Sequence, residues 1–113
     1  MSFLAILVAS TSLHITVWPQ GPGHPGARSY TLRCAPARGT LPRPAAACAQ
    51  LLRTPRPFAA TPKDAVCTQI YGGPKQALVT GRFRGRPIRA RFSRTNGCEI
   101  ARWNRVRLLF PSR

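Results

Sequence analysis

The chain has 113 residues, with 18 Lys and Arg against two acidic residues, and a formal net charge of +16. This length predicts one domain, whose small core leaves its stability marginal without covalent cross-links. Because Asp64 and Glu99 carry the only side-chain carboxylates, the composition excludes paired-carboxylate catalysis and carboxylate-rich metal sites. We therefore expect no enzyme active site, no metal and no cofactor.

The N-terminal segment, up to about residue 11, contains an apolar run over residues 3–10. This run is far too short to span a membrane, and it resembles the hydrophobic stretch and small-residue end of a signal peptide. We assign residues 1–11 to a truncated signal peptide or disordered N-terminus; a genuine extra strand is the alternative. Residues 12–113 are assigned to a single domain, with no membrane span.

The first half of this domain predicts two strands and one helix. Residues 13–17 and 29–34 alternate apolar and polar side chains, as strands with one buried face require. Residues 20–27 between them are rich in Gly and Pro and predict a loop. Residues 45–53 are strong helix formers that end at a Thr-Pro pair.

The second half predicts a long loop, a hairpin and a final strand. Residues 54–74 are Pro-rich without a clear period, which indicates an ordered loop. Residues 76–80 and 87–93 flank a Gly-Arg-Phe-Arg-Gly segment and predict a hairpin. Residues 105–110 predict the last strand. Together with the short helix, these elements indicate an α+β domain with a five-stranded antiparallel sheet.

The four cysteines indicate a cross-linked, exported protein. They are Cys34, Cys48, Cys67 and Cys98. No Cys-x-x-Cys pair is present, so a zinc ribbon or a thioredoxin-type site has no starting pair. Two disulfides are the better interpretation, and all three connectivities remain open. Disulfides persist in oxidising compartments, which predicts secretion.

Aromatic side chains interleave with arginines and allow two interpretations. They form either a stacking platform for single-stranded nucleic acid or the core side of the sheet, with arginines on its exposed face; we favour the core. The aromatic side chains concerned are Trp18, Phe58, Tyr71, Phe83, Phe92 and Trp103. We take His14 and His24 as incidental, because neither forms a convincing nucleophile pair.

The segment 65–74 is extended, tethered by Cys67 and closed by Gly-Gly-Pro. A rigid exposed loop of this kind is what a protease cleft binds as an added β-strand. A surface loop that is merely cross-linked is the alternative.

Several segments together resemble the Streptomyces subtilisin inhibitor family of secreted serine-protease inhibitors, over nearly the whole chain. They are residues 30–36, the Gly-Thr turn before the helix with Cys48, residues 66–71, the hairpin 81–86, and residues 92–99. The resemblance implies disulfides Cys34–Cys48 and Cys67–Cys98. It also implies a five-stranded antiparallel sheet with two short helices on one face, the second near residues 57–66, and a homodimer formed by sheet packing.

The resemblance also implies a reactive bond between Gln69 (P1) and Ile70 (P1′). The protease-binding loop around this bond would comprise Val66 (P4), Cys67 (P3), Thr68 (P2) and Tyr71 (P2′). Asn96 matches the family's scaffold asparagine, which hydrogen-bonds the loop from beneath.

Three features depart from the family pattern. Gln69 is neither the Met or Leu that suits subtilisin-like and chymotrypsin-like pockets nor the Lys or Arg that suits trypsin. One residue is added at Gly72-Gly73, and the charge is unusually high.

We predict an extracellular inhibitor of serine endopeptidases, subtilisin-like in the first place and trypsin-like or chymotrypsin-like otherwise. The alternative is a cationic secreted protein that binds nucleic acid or an anionic envelope polymer through arginines on the sheet. A minor alternative makes Gln69 an acyl donor for a transglutaminase.

Overall fold

A four-stranded antiparallel sheet carries both helices on one face in the computed structural model, which describes residues 10–112. The strands are β1 (Thr11–Trp18), β2 (Arg28–Cys34), β3 (Gln76–Phe83) and β4 (Arg86–Phe92), in the order β2-β1-β3-β4. The helices are α1 (Pro44–Arg53) and α2 (Gly97–Arg105), followed by a 3₁₀ turn at Arg107–Leu109. The signal peptide predicted for residues 1–11 lies outside the described residues except for its last two positions.

Alternate residues of all four strands form the buried face of the sheet. The core pairs across neighbouring strands include Leu13 with Leu32, Ile15 with Val79, and Ala77 with Phe92. Since side chains alternate between faces along a strand, this register places every intervening residue on the outer face. The strands predicted over residues 13–17, 29–34, 76–80 and 87–93 are thereby confirmed, apart from one-residue to three-residue differences at their ends.

Helix α1 confirms the helix predicted over residues 45–53. Pro44 occupies its first turn, where a missing N–H removes no intrahelical bond. Ala47, Cys48 and Leu51 face the core, and Thr54 ends the helix in an extended conformation before the next proline. The disulfide Cys34–Cys48 joins the helix to β2.

The fifth strand predicted at residues 105–110 is wrong. The chain there finishes α2 and forms the 3₁₀ turn Arg107–Leu109. Val106, Leu109 and Phe110 are buried at the i, i+3, i+4 spacing of a helical turn, so the apparent alternation was one part of a helical pattern. The backbone N–H of Leu108 donates to Oε1 of Gln50 at 3.0 Å, which ties the turn to α1 rather than to a sheet edge.

The second helix implied near residues 57–66 is also misplaced. Residues 54–74 contain turns, bends and irregular backbone but no helix, as the Pro-rich pattern itself predicted. The second helix is instead α2, after β4. Phe58 still reaches the core from the loop, where its ring lies edge-on to Phe83 at 5.1 Å and to Phe92 at 6.4 Å.

The β3–β4 hairpin closes with a two-residue turn, shorter than the six residues that separate the predicted arms. Arg84 and Gly85 both have positive φ angles, 52° and 80°, as a type I′ turn requires.

The core-forming interpretation of the aromatic residues holds for Phe92 and Trp103, which are buried. Within residues 10–112, no helix has the length and apolar character needed to cross a membrane.

Candidate functional site

The segment from Val66 to Tyr71 presents a row of exposed apolar side chains. Val66 is 98% exposed, Ile70 60% and Tyr71 66%, and in the described part of the chain only Leu52 joins them as an exposed large hydrophobic residue. Leu52 lies elsewhere, on α1. Concentrated apolar exposure on one loop marks an interaction site, because such surface is normally withdrawn from water.

The first half of this loop is fixed to the start of α2. The disulfide Cys67–Cys98 is the covalent link. Together with Cys34–Cys48, it confirms both pairings that the resemblance implied. Beside it, the backbone N–H of Gly97 donates to the carbonyl oxygen of Thr68 at 2.9 Å. A β carbon on residue 97 would overlap Oγ1 of Thr68, so any other residue here would displace the Thr68 side chain.

The second half of the loop is fixed to the segment after β4. The backbone N–H of Gly72 donates to the carbonyl oxygen of Arg94 at 2.7 Å. In return, Nε of Arg94 donates to the carbonyl oxygen of Gly72 at 3.3 Å. The guanidinium is itself held by Oδ1 of Asn104 at 3.4 Å and lies 5.7 Å from the ring centroid of Trp103.

Gln69, Ile70 and Tyr71 bridge the two anchored halves. Within residues 10–112, none of these three residues makes a hydrogen bond through its backbone or side chain. Their N–H and C=O groups are therefore free to pair with an extended strand of a partner. The loop combines rigid ends with an unpaired centre.

The resemblance implies that Asn96 hydrogen-bonds the loop from beneath, and this role stays a prediction, because among the described residues its side chain bonds only to α2. Its Oδ1 accepts a hydrogen bond from the backbone N–H of Glu99 at 3.0 Å, so in this structure it caps the N-terminus of α2. The backbone of its neighbour Gly97 makes the bond to the loop. The pattern Asn-x-x-Glu at 96–99 is a capping signal that could have located this helix from the sequence.

Glu99 and Arg102 extend the support to the chain that precedes the loop. Oε1 of Glu99 is ion-paired with Arg102 at 2.8 Å, and its Oε2 accepts from Thr61 at 2.7 Å. Arg102 also donates to the carbonyl oxygens of Ala59 and Arg91, each at 3.0 Å. One of the two carboxylates in the chain therefore belongs to the scaffold of the loop.

Arg94, Gly97, Glu99 and Arg102 support the loop in this structure, and the sequence patterns described above did not assign them to it. Glu99 and Arg102 are three residues apart on one helix, a spacing that favours an ion pair and was a usable signal. The contacts of Arg94 and Gly97 cross 22 and 29 residues of chain to reach Gly72 and Thr68, and no local pattern indicates them. The described residues contain no group of three His, Cys, Asp or Glu side chains that could hold a metal.

Comparison with known proteins identifies a family and a solved structure to which the chain is similar. A family model described as subtilisin inhibitor-like matches residues 9–96, a range that includes the whole loop. Among solved structures, the chain is similar to Streptomyces caespitosus sermetstatin, in a crystal structure in complex with Bacillus licheniformis subtilisin. The TM-score is 0.53 at 30% sequence identity, over 87% of this chain and 97% of that chain. A comparison with curated proteins gave no match.

Proposed function

The chain belongs to the subtilisin inhibitor-like family, and from this membership we propose that it inhibits subtilisin-like serine proteases through the loop 66–71. The observation that carries the proposal is the unpaired centre at Gln69, Ile70 and Tyr71 between two anchored ends. Such a loop loses little conformational freedom on binding, so its contacts convert efficiently into affinity. The relative sermetstatin, crystallised in complex with subtilisin, supports the choice of protease class.

We place the reactive bond between Gln69 and Ile70. The protease serine would attack the carbonyl carbon of Gln69, and breaking the peptide bond would leave an acyl-enzyme and the free amine of Ile70. The Cys67–Cys98 disulfide holds one product end, and the paired Gly72 and Arg94 hold the other. Since the amine stays beside the acyl-enzyme, it re-forms the peptide bond faster than water hydrolyses the ester.

The exposed side chains around this bond fit the subsites of an extended substrate. Gln69 would enter the primary specificity pocket, and Tyr71 would lie on the primed side. Val66, which is 98% exposed, would supply an apolar contact at P4. A standard-size inhibitor interface of this type reaches very tight binding.

Titration against purified proteases tests the proposal directly. The protein should inhibit subtilisin at near-stoichiometric concentration, and mass spectrometry after long incubation should find a single cut between Gln69 and Ile70. Chymotrypsin and trypsin, assayed in parallel, define the selectivity. Absence of inhibition of all three at micromolar excess contradicts the function, whereas inhibition with a cut elsewhere contradicts only the assigned bond.

We propose that the protein acts outside the cell. All four cysteines are disulfide-bonded, and such cross-links persist where thiols are not continuously reduced. The signal peptide predicted from the sequence stays a prediction. N-terminal sequencing of secreted protein tests it, since a processed chain would begin near residue 11.

The outer face of the sheet favours a second candidate function, polyanion binding. Arg33 and Arg82 flank Ser12 on the two neighbouring strands, and Arg89 and Arg91 alternate along β4, all of them exposed. Such a face suits the phosphates of a nucleic acid. Binding to a DNA duplex should fall steeply between about 50 and 200 mM salt and should be lost when the four arginines are changed to Gln. Duplex binding that survives these changes contradicts this function.

The homodimer implied by sheet packing would use the same outer face. Neither acidic residue lies on it, because Glu99 is on α2 and Asp64 is in the loop before residue 66. Two copies packed through this face would bring like charges together, which opposes their association. Analytical ultracentrifugation of the wild-type protein tests the dimer, which stays a prediction.

A further inference from the structure

A cleft lies immediately beside the second anchored half of the loop. Its volume is about 610 Å³, and Gly72, Gly73 and Pro74 line one of its walls. Gly72 follows Ile70 by only two residues. A protease that holds the Gln69–Ile70 bond in its catalytic site would therefore have its primed-side rim near this cleft.

Four cationic side chains line the cleft, contributed by four different parts of the chain. They are Arg43 before α1, Lys75 before β3, Arg94 after β4 and Arg107 in the 3₁₀ turn. No Asp or Glu side chain of residues 10–112 lines it. Within residues 10–112 the only ion pair is that of Glu99 with Arg102, so all four charges lack an acidic partner in the described chain.

The partners of Arg94 show the same lack of acidic neighbours. Its guanidinium contacts the carbonyl of Gly72, the side-chain amide oxygen of Asn104 and the ring of Trp103, all of which are uncharged. Arg43 and Arg107 are exposed. Within residues 10–112, no acidic side chain neutralises this cluster.

From this geometry we infer that the cleft binds an acidic surface next to the primed subsites of the target protease. The inference rests on the proposed function and narrows it to proteases whose primed-side rim carries carboxylates. Covering four unpaired cations with a neutral or basic rim removes their hydration without compensation, whereas carboxylates replace it. The same charges accelerate encounter with an acidic rim, since opposite potentials steer association.

Association kinetics with subtilisin at several ionic strengths test this inference. The test variant is Arg43→Gln/Lys75→Gln/Arg107→Gln, which leaves Arg94 and its hydrogen bonds to the loop intact. The matched control is Arg53→Gln/Arg56→Gln/Arg86→Gln, which removes the same net charge from exposed residues that line a different groove. At low salt the test variant should associate about tenfold more slowly than the control.

The salt dependence of the rate gives a second readout. The rate for the wild-type protein should fall with added salt, and the test variant should show a shallower slope than the control. Changing acidic residues around the primed subsites of the protease to amides should reproduce the loss. Equal rates and slopes for the two triple variants contradict the inference, since net charge alone would then account for the effect.

A binding experiment without protease separates the inference from the proposed function. A hexaglutamate peptide should bind the wild-type protein and the control in calorimetric titration, and should bind the test variant at least severalfold more weakly. Equal binding by both variants overturns the inference even if subtilisin is inhibited. If the protein inhibits none of the three proteases but still binds the peptide more tightly than the test variant does, the proposed function is overturned and the cleft is supported as a site for acidic partners.

Discussion

Arg94 and Gly72 hold each other through two hydrogen bonds, one from backbone to backbone at 2.7 Å and one from guanidinium to carbonyl at 3.3 Å. The first bond is available to any residue at position 94, and the second requires the arginine side chain. This pair retains the leaving side of the proposed reactive bond. Its side-chain component can therefore be removed without breaking the backbone connection.

Arg94→Ala is expected to convert durable inhibition into temporary inhibition. Losing the guanidinium bond should cost only about 1 kcal/mol of folding stability, but a primed side held by the backbone bond alone should let the Ile70 amine drift from the acyl-enzyme. We expect cleavage at Gln69–Ile70 to accelerate about tenfold, measured by mass spectrometry during incubation with subtilisin. Arg89→Ala, which removes an exposed arginine from β4, is the control and should cleave at the wild-type rate.

Replacing Cys67 and Cys98 by Ser should turn the inhibitor into a substrate. Removing this cross-link should cost about 2–4 kcal/mol of stability and should release the P3 position. The double variant Cys34→Ser/Cys48→Ser is the matched control, because it loses a disulfide far from the loop. If both variants are cleaved at the same rate, loss of global stability explains the effect and the loop disulfide has no special role.

Gln69→Lys should redirect the inhibitor toward trypsin. A lysine at P1 pairs with the acidic residue of a trypsin-type pocket, and the gain in affinity should be about a hundredfold. Gln69→Glu places a like charge in the same pocket and should weaken trypsin inhibition. The inhibition constants of both variants against trypsin measure these changes in affinity. Unchanged constants would show that residue 69 does not occupy the primary pocket.

Gly97→Ala should distort the loop through a steric clash. The added β carbon would overlap Oγ1 of Thr68, which forces the P2 residue away from its position. We expect weaker subtilisin inhibition, by about tenfold, with both disulfides still formed. The double variant Gly97→Ala/Thr68→Ala removes the clashing oxygen and should recover part of the loss, whereas a general defect of α2 would persist.

Arg102→Met should destabilise the scaffold by about 2–4 kcal/mol. The substitution removes the ion pair with Glu99, two bonds to carbonyl oxygens and a contact 4.4 Å above the Phe92 ring. The control is Arg105→Met on the same helix, an exposed position expected to change stability by less than about 0.5 kcal/mol. Denaturant unfolding measures both, and similar losses would contradict a specific role for Arg102.

Local pattern predicted the elements whose signal is short-range. The strands at β1 to β4 showed alternation, and α1 had both helix formers and a Pro at its start, so these elements were found within a few residues. Residues 105–110 misled because Val106, Leu108 and Phe110 alternate like a strand. Their conformation depends on which element lies next to them, and in the structure they pack as a helical turn bonded to Gln50 of α1.

The sequence by itself determined the size of the domain, its two cross-links, the core-facing half of each strand and an exposed loop around Cys67. These properties follow from composition and from periodicity, which act between near neighbours. Tertiary structure alone decided the four-stranded sheet and the clamps on the loop. Those features join residues such as Gly72 with Arg94 and Thr68 with Gly97, whose separation along the chain leaves no periodic trace and whose meeting depends on packing. The net charge of +16 likewise follows from the composition. Only folding brings four of the cationic side chains together beside the loop.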